Sequence, residues 1–153
     1  MGLPWLWRPG GREATEVTAE LTQDRCRAMQ RYSAAWQNSR FKLAAIATLL
    51  AFQDHAAVFE SGTYEPLMAA GPNAEQIIGF LRRGKDGLIL TAAARYPARL
   101  AAEGIASESA VLLPEALQNK GRDIVSGTTH ISATSLRADE LFALLPAVVL
   151  IAE

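Results

Sequence analysis

The chain has 153 residues, half of them apolar and a fifth charged, with a formal net charge of −1. That is the make-up of an ordinary globular domain with one core, and the near-neutral balance leaves no electrostatic footprint for a nucleic acid. A single cysteine, Cys26, excludes an internal disulfide and a thiolate metal cluster, and it fits a reducing cytoplasm.

Residues 1–20 are broken up by Pro4, Pro9, Gly10 and Gly11, and Trp5 and Trp7 form no helical stripe. They are expected to be a loosely ordered tail. The start lacks the basic residues and apolar core of a signal peptide, and Leu6 breaks a myristoylation motif at Gly2. Residues 21–153 are expected to be a single domain, with helices within 21–55 and a β-domain over 60–153. Leu21 to Trp36 reads as one helix. Met29, Tyr32 and Trp36 share a face, while Arg25, Arg27 and Arg31 are charged positions read as solvated.

Asn38 and Ser39 are N-cap residue types. From Phe41 to Phe52 neither Gly nor Pro appears, and Ala and Leu dominate, which predicts a helix ending at Asp54 and His55. Its apolar residues surround much of the axis, a pattern normally buried. A second surface should therefore cover helix 39–54. The options are the preceding helix, a second copy of the chain in a homodimer, or another protein.

Ser61-Gly62 breaks the pattern. Tyr64 to Ala69 and Gln76 to Leu81 read as strands around a Gly71-Pro72-Asn73 turn, where Pro presets φ and Asn tolerates the left-handed region. Arg82 to Gly87 reads as a hairpin loop and Leu88 to Ala94 as the returning strand. Tyr96 to Ser109 is a connection with some helical character. Val111 to Leu113, Arg122 to Val125 and Val148 to Ile151 are further strands, and Ile131 lies in a Ser/Thr-rich strand or loop. Ser135 is placed to cap a short helix over Leu136 to Leu144. The apolar run Leu141 to Ala152 is too short to cross a bilayer. The fold class is α+β: one or two N-terminal helices packed on an antiparallel sheet or sandwich of about six strands.

Chemistry-bearing motifs are sparse. Gly79 to Lys85 matches a P-loop until Asp86 stands where Ser or Thr should reach Mg²⁺, and a strand follows where a helix should open. His55 and His130 form no metal-binding pair. Asp123, Ser126 and His130 are close in sequence, but no nucleophile-elbow motif accompanies them, so their proximity reads as chance. Glycosidic chemistry needs two carboxylates flanking one bond. Asp54, Glu65, Asp86, Asp123 and Glu140 are scattered. No catalytic residue, metal ligand or cofactor site is assigned.

Three ordered segments carry a family resemblance: Trp36-x-x-x-Arg40-Phe41-Lys42, Leu49-Leu50-Ala51-Phe52, and Val58-Phe59-x-x-Gly62-x-Tyr64-x-Pro66-Leu67. It continues through Gly71, Ala74, Ile77, Ile78, Phe80, Arg82 and Arg95, then Leu113-Pro114, Asp123-x-x-x-Gly127 and Leu144 to Leu150. Over about residues 36–152 the chain resembles the end of maltooligosyltrehalose synthase, a family of the α-amylase superfamily. It departs from the family at Asn38-Ser39 and at Ser107 to Ala110. The resemblance implies the last helix of a (β/α)₈ barrel followed by a C-terminal β-domain. The family rearranges the reducing-end α-1,4 bond of a maltooligosaccharide into the α,α-1,1 bond of a trehalose unit.

A barrel takes roughly 200 residues or more, and only 35 residues precede Trp36. No family catalytic residue carries over, although Lys42, Arg82 and Arg95 match recurrent basic positions. The resemblance thus implies a noncatalytic stand-alone relative or fragment in trehalose or α-glucan metabolism. Such a module would meet a homodimer partner or a separate catalytic-barrel protein through helix 39–54. The alternative is a small enzyme or binding protein for a maltooligosaccharide, with a new pocket built from Lys42, Arg82 and Arg95.

Overall fold

Asp24 divides what reads as one helix into two. In the computed structural model, described for residues 12–35, 39–52, 56–85, 87–114, 120–131 and 134–152, α1 spans Arg12–Gln23 and α2 spans Arg25–Ala34. Asp24 is extended at φ −153, and its side chain accepts the Arg27 N–H at 3.0 Å, so it caps α2. The break corrects the expected continuous helix from Leu21 to Trp36, because a capping aspartate competes with helix continuation. The expected loose tail over 1–20 is also corrected: helix α1 takes up residues 12–20, and residues 1–11 lie outside the described residues. Val17 and Leu21 of α1 are buried, which is the tertiary support that a short helix requires.

Helix α3 (Ser39–Ala51) lies where the sequence predicts it, and α4 (Ala56–Ser61) adds a short helix that the sequence reading missed. Asn38, Asp54 and His55, expected at the ends of the α3 helix, lie outside the described residues. Ala44 and Thr48 are buried, and Phe41, Leu43, Ala45, Ala47 and Phe52 pack partly against a cluster that includes Val17 and Leu21 of α1, Met29 and Tyr32 of α2, and Ile124 and Val125. Helices α1 and α2 therefore cover one side of α3. On the other side Lys42, Ile46, Leu49 and Leu50 form an exposed stripe at helical spacing.

The strands are β1 (Thr63–Leu67), β2 (Ala69–Ala70), β3 (Ile77–Gly84), β4 (Gly87–Ala94), β5 (Ala110–Leu112), β6 (Lys120–Asp123), β7 (Thr129–Ile131), β8 (Ser135–Arg137) and β9 (Ala147–Ala152). They form a six-stranded sheet in the order β1-β3-β4-β9-β6-β7 and a three-stranded sheet β2-β5-β8, with antiparallel pairings throughout. The α+β class holds, and the strands divide between two sheets. The expected strand Tyr64 to Ala69 is split at the exposed Met68, so its two halves enter different sheets. Residues 135–137 join β8, and only Ala138–Leu141 turn helical, as α6. This corrects the expected Ser135-capped helix: pairing of Leu136 with Val111 buries both side chains and overrides the local cap signal. Residues 124 and 125, expected at the end of the sixth strand, instead form a turn.

Alternation along β9 separates two cores. Val148 and Leu150 face Ile77, Leu81, Leu90, Val111, Leu136 and Leu141, together with Leu100 of α5 (Pro97–Glu103). Val149 and Ile151 face α1, α2 and α3. The large sheet is thus a central layer, with helices on one face and the small sheet on the other. Strand β1 forms one edge and contains Pro66; β7 forms the other.

The Gly71-Pro72-Asn73 turn forms, but by different chemistry from that expected. Gly71 supplies the positive φ, +90, while Asn73 stays at −98. Asn73 instead acts as a clamp. Its side-chain oxygen accepts the Ala106 N–H at 2.8 Å and the Ser109 hydroxyl at 3.0 Å.

Candidate functional site

The three basic residues singled out in the sequence do not meet. Lys42 sits at the start of the exposed stripe on α3. On β3, Arg82 is half-buried, donates to the Gly62 carbonyl at 3.2 Å and lies over the Tyr64 ring at 5.9 Å. Arg95 follows β4, is exposed and lies over the ring of Tyr96 at 5.3 Å. Arg82 faces Ile89 across the β3–β4 ladder, and Arg95 stands six residues further along. That separation is about 20 Å at the rise of a strand. Arg82 and Arg95 therefore belong to different ends of the hairpin and share no pocket. The P-loop-like run from Gly79 lies inside β3 and opens no helix, so its backbone N–H groups serve the sheet.

Polar groups do converge beside the turn that follows β6. A cavity of about 300 Å³ lies between α2, this turn and the α6 region, lined by Gln30, Asp123, Ser126, Thr128, His130 and Glu140 over a floor of Leu141, Leu144, Leu145 and Val148. Asp123 is almost wholly buried and organises the turn. Its carboxylate accepts the N–H groups of Val125 at 3.2 Å, Ser126 at 3.0 Å and Val149 at 3.2 Å, and the Ser126 hydroxyl at 2.5 Å. The Ser126 hydroxyl in turn accepts the Thr128 N–H at 3.2 Å. From α2, Arg25 donates to the Ile124 carbonyl at 2.9 Å and fastens the turn to the helices.

Asp123, Ser126 and His130, whose closeness in sequence reads as chance, thus line one cavity. They do not form a nucleophilic triad. Ser126 donates to the carboxylate, and among the described residues no Ser126–His130 hydrogen bond forms, so the histidine is not positioned to take the serine proton. Burial holds the His130 imidazole below its ordinary pKa, against the opposing pull of Asp123 and Glu140.

Asp123 and Glu140 share the cavity lining, yet neither is placed for glycosidic chemistry. Asp123 has spent its oxygens on the turn, and Glu140 pairs with Arg137 at 3.4 Å. Other carboxylates are committed to structural pairs. Glu16 binds Arg40, Glu103 binds Arg99, and Glu20 takes both Arg31 and the Tyr32 hydroxyl. Asp139 is held below its usual pKa by the hydrogen bond from Arg137. Among the described residues no cluster of His, Cys, Asp and Glu is arranged to hold a metal ion. No helix among them is long and apolar enough to cross a membrane.

Sequence reasoning missed the Gln30 and Thr128 walls of this cavity. The available signal was Asp123-x-x-Ser126-x-Thr128, side chains that bond their own backbone a few residues on and so mark a tight turn. A second depression of about 540 Å³ is largely apolar, lined by Leu49, Phe52, Phe59, Phe80, Ile124 and Val149 among others, and it adjoins the exposed stripe of α3.

No protein-family model matches the chain. Two strains of Mycobacterium tuberculosis each have a maltooligosyl trehalose synthase that is 36% identical to it over 117 residues. The match takes in 76% of this chain and 14% of each relative. The solved maltooligosyltrehalose synthase of Arthrobacter ramosus superposes with a TM-score of 0.61 at 27% identity, over 91% of this chain and 16% of that one. By sequence across three quarters of its length, and by its helices packed on antiparallel sheets, this chain is a homologue of one segment of maltooligosyltrehalose synthase.

Proposed function

We propose that the chain is a noncatalytic counterpart of the C-terminal domain of maltooligosyltrehalose synthase, acting in the cytoplasm as a partner-binding module of trehalose or α-glucan metabolism. Its partner is a protein that carries the catalytic barrel, and the docking surface is the outward side of α3. The observation that carries this reading is the row Ile46, Leu49 and Leu50, exposed although α1 and α2 already cover the opposite side of the helix. Phe59 of α4 extends the same apolar surface, and the depression beside it offers a seat for a protruding side chain. Contiguous apolar surface of this kind marks interaction sites. The relatives carry most of their length outside the matched segment, and this supports the choice of a barrel-bearing protein as the partner.

The test is an assay on maltopentaose with the purified chain, alone and mixed with a maltooligosyltrehalose synthase from which the matching segment has been deleted. The chain alone is expected to be silent, and the mixture is expected to form the trehalose-ended product. Turnover by the chain alone, abolished by replacing one of its own Asp or Glu residues, would overturn the reading. Formation of a concentration-dependent homodimer with no rescue would assign the α3 surface to a second copy instead.

A further inference from the structure

We propose that the outward surface of α3 and α4 receives an amphipathic helix of the partner, acidic at its N-terminal end against Lys42 and basic at its C-terminal end against Glu60. The inference rests on the docking role proposed for α3, and it adds the chemistry and the direction of the docked element.

Charge is divided along this surface. Lys42 opens the exposed stripe near the start of α3, and Glu60 of α4 borders the apolar depression at the far end, beside Leu49 and Phe52. Both are exposed, and among the described residues neither side chain has an ion-pair partner. Arg40, also on α3, is taken by Glu16, and Arg82 donates to the Gly62 carbonyl. Between Lys42 and Glu60 the outward residues Ile46, Leu49, Leu50 and Phe59 are apolar and exposed. The order is cation, apolar, anion. A matching occupant carries an acid, an apolar face and a base in sequence, because a like charge at either end is repelled.

Shape favours a helix. From Lys42 to Leu50 the stripe rises about 12 Å, and the depression of about 540 Å³ at its end is walled by Phe52, Phe59 and Phe80. A helix of about three to four turns covers that length, with anchors at i, i+4 and i+7 and one bulky side chain in the depression. The surface consists of side chains from two helices and offers no sheet edge, so an added strand would find no backbone to pair with.

Direction follows from the helix dipole. Acidic residues stabilise the first turn of a helix and basic residues its last. Lys42 stands at the N-terminal end of α3. A helix that satisfies both its own dipole and this surface therefore runs parallel to α3.

The experiment uses the intact chain and two labelled, hydrocarbon-stapled peptides of about 15 residues, with the same composition and the same apolar face. One has glutamates in its first turn and lysines in its last; the other has them exchanged. Stapling holds both helical, so helix stability does not separate them. Binding is read by fluorescence anisotropy. The acid-first peptide should saturate, and at low salt it should bind about tenfold tighter than its counterpart, the effect of two matched pairs against two like-charge contacts. The ratio should shrink as salt rises. The double variant Lys42→Glu/Glu60→Lys should invert the preference, and Phe59→Ala should weaken both peptides alike. Circular dichroism checks folding; if the double variant is not folded, Lys42→Gln and Glu60→Gln replace it, and each should reduce the ratio. A spin label on the N-terminus of the acid-first peptide should broaden the amides around residue 42 and spare those around residue 60.

No saturation by either peptide, equal binding of the two, a preference that the folded charge variants leave unchanged, or broadening around residue 60 instead would each overturn the inference. Rescue of the segment-deleted synthase is measured in parallel. Rescue with equal peptide binding sinks the charge assignment and keeps the docking role. Peptide discrimination without rescue keeps the surface chemistry and sinks the barrel-bearing partner.

Discussion

The carboxylate of Asp123 accepts the backbone N–H of Val149 at 3.2 Å, joining the turn after β6 to β9. Beyond Asp123 the Ile124 N–H still donates to the Val149 carbonyl at 2.9 Å, and the Asp123 side chain takes the Val149 N–H in return.

Asp123→Ala should therefore destabilise the fold by about 3 kcal/mol or more, because it strands several buried donors at once. Asp123→Asn should lose less, since one amide oxygen still accepts. Urea unfolding midpoints of the two variants against the parent check the order. A loss under about 0.5 kcal/mol for Asp123→Ala, as at an ordinary surface position, would contradict the role given to this carboxylate.

Two glycines separate conformational cost from steric cost. Gly104 has φ +79, and an added methyl would meet nothing within 4 Å. Gly104→Ala should lose about 1–3 kcal/mol, the cost of holding an L-residue at φ +79 and ψ 170, a region essentially reserved for glycine. Gly71 has φ +90, and its Cβ would fall 2.4 Å from the Glu108 carbonyl oxygen. Gly71→Ala should lose clearly more and loosen the Asn73 clamp beside it. Thermal unfolding of both variants provides the comparison.

His130 gives the fold an acid-sensitive component. Its native pKa lies below the unfolded value of 6.5, chiefly through burial. Above pH 6.5 both states hold the ring neutral and the contribution is constant. As pH falls through 6.5 toward the native pKa, the unfolded chain binds the proton first, and stability drops. His130→Gln should flatten the pH dependence between 6.5 and that lower value. Urea midpoints across pH 5 to 8, for parent and variant, measure the difference.

Ile46→Glu tests the α3 surface. The residue is 38% exposed, so the isolated chain should change by less than about 1 kcal/mol. Rescue of the segment-deleted synthase should be lost, and sedimentation should show the same mass for variant and parent when the partner is absent. A change of mass on mutation would point to self-association through this helix.

Where hydrophobic periodicity and turn chemistry agreed, the sequence was a sound guide. Strand β4 and helix α3 fall close to their expected bounds. Local signals failed where tertiary pairing opposed them. Ser135 looks like a cap, but Leu136 is worth more buried against Val111 in the small sheet. Asp24 was an unread boundary, because an aspartate between two polar helical turns resembles any solvated position until its bond to Arg27 is seen. The cavity was half legible. Asp123, Ser126 and His130 stand together in the sequence, but Gln30 and Glu140 reach them only through the packing of α2 and α6.

Pro66 on β1 has a further consequence. A proline has no N–H to offer, so the outermost strand cannot present a full row of donors to an incoming chain. At the opposite margin β7 takes up Thr129–Ile131 among the described residues, a short template for another strand. Both margins of the large sheet are thus poor sites for lateral growth into filaments. The large sheet is thereby guarded against amyloid-like stacking while α3 keeps an apolar face in water.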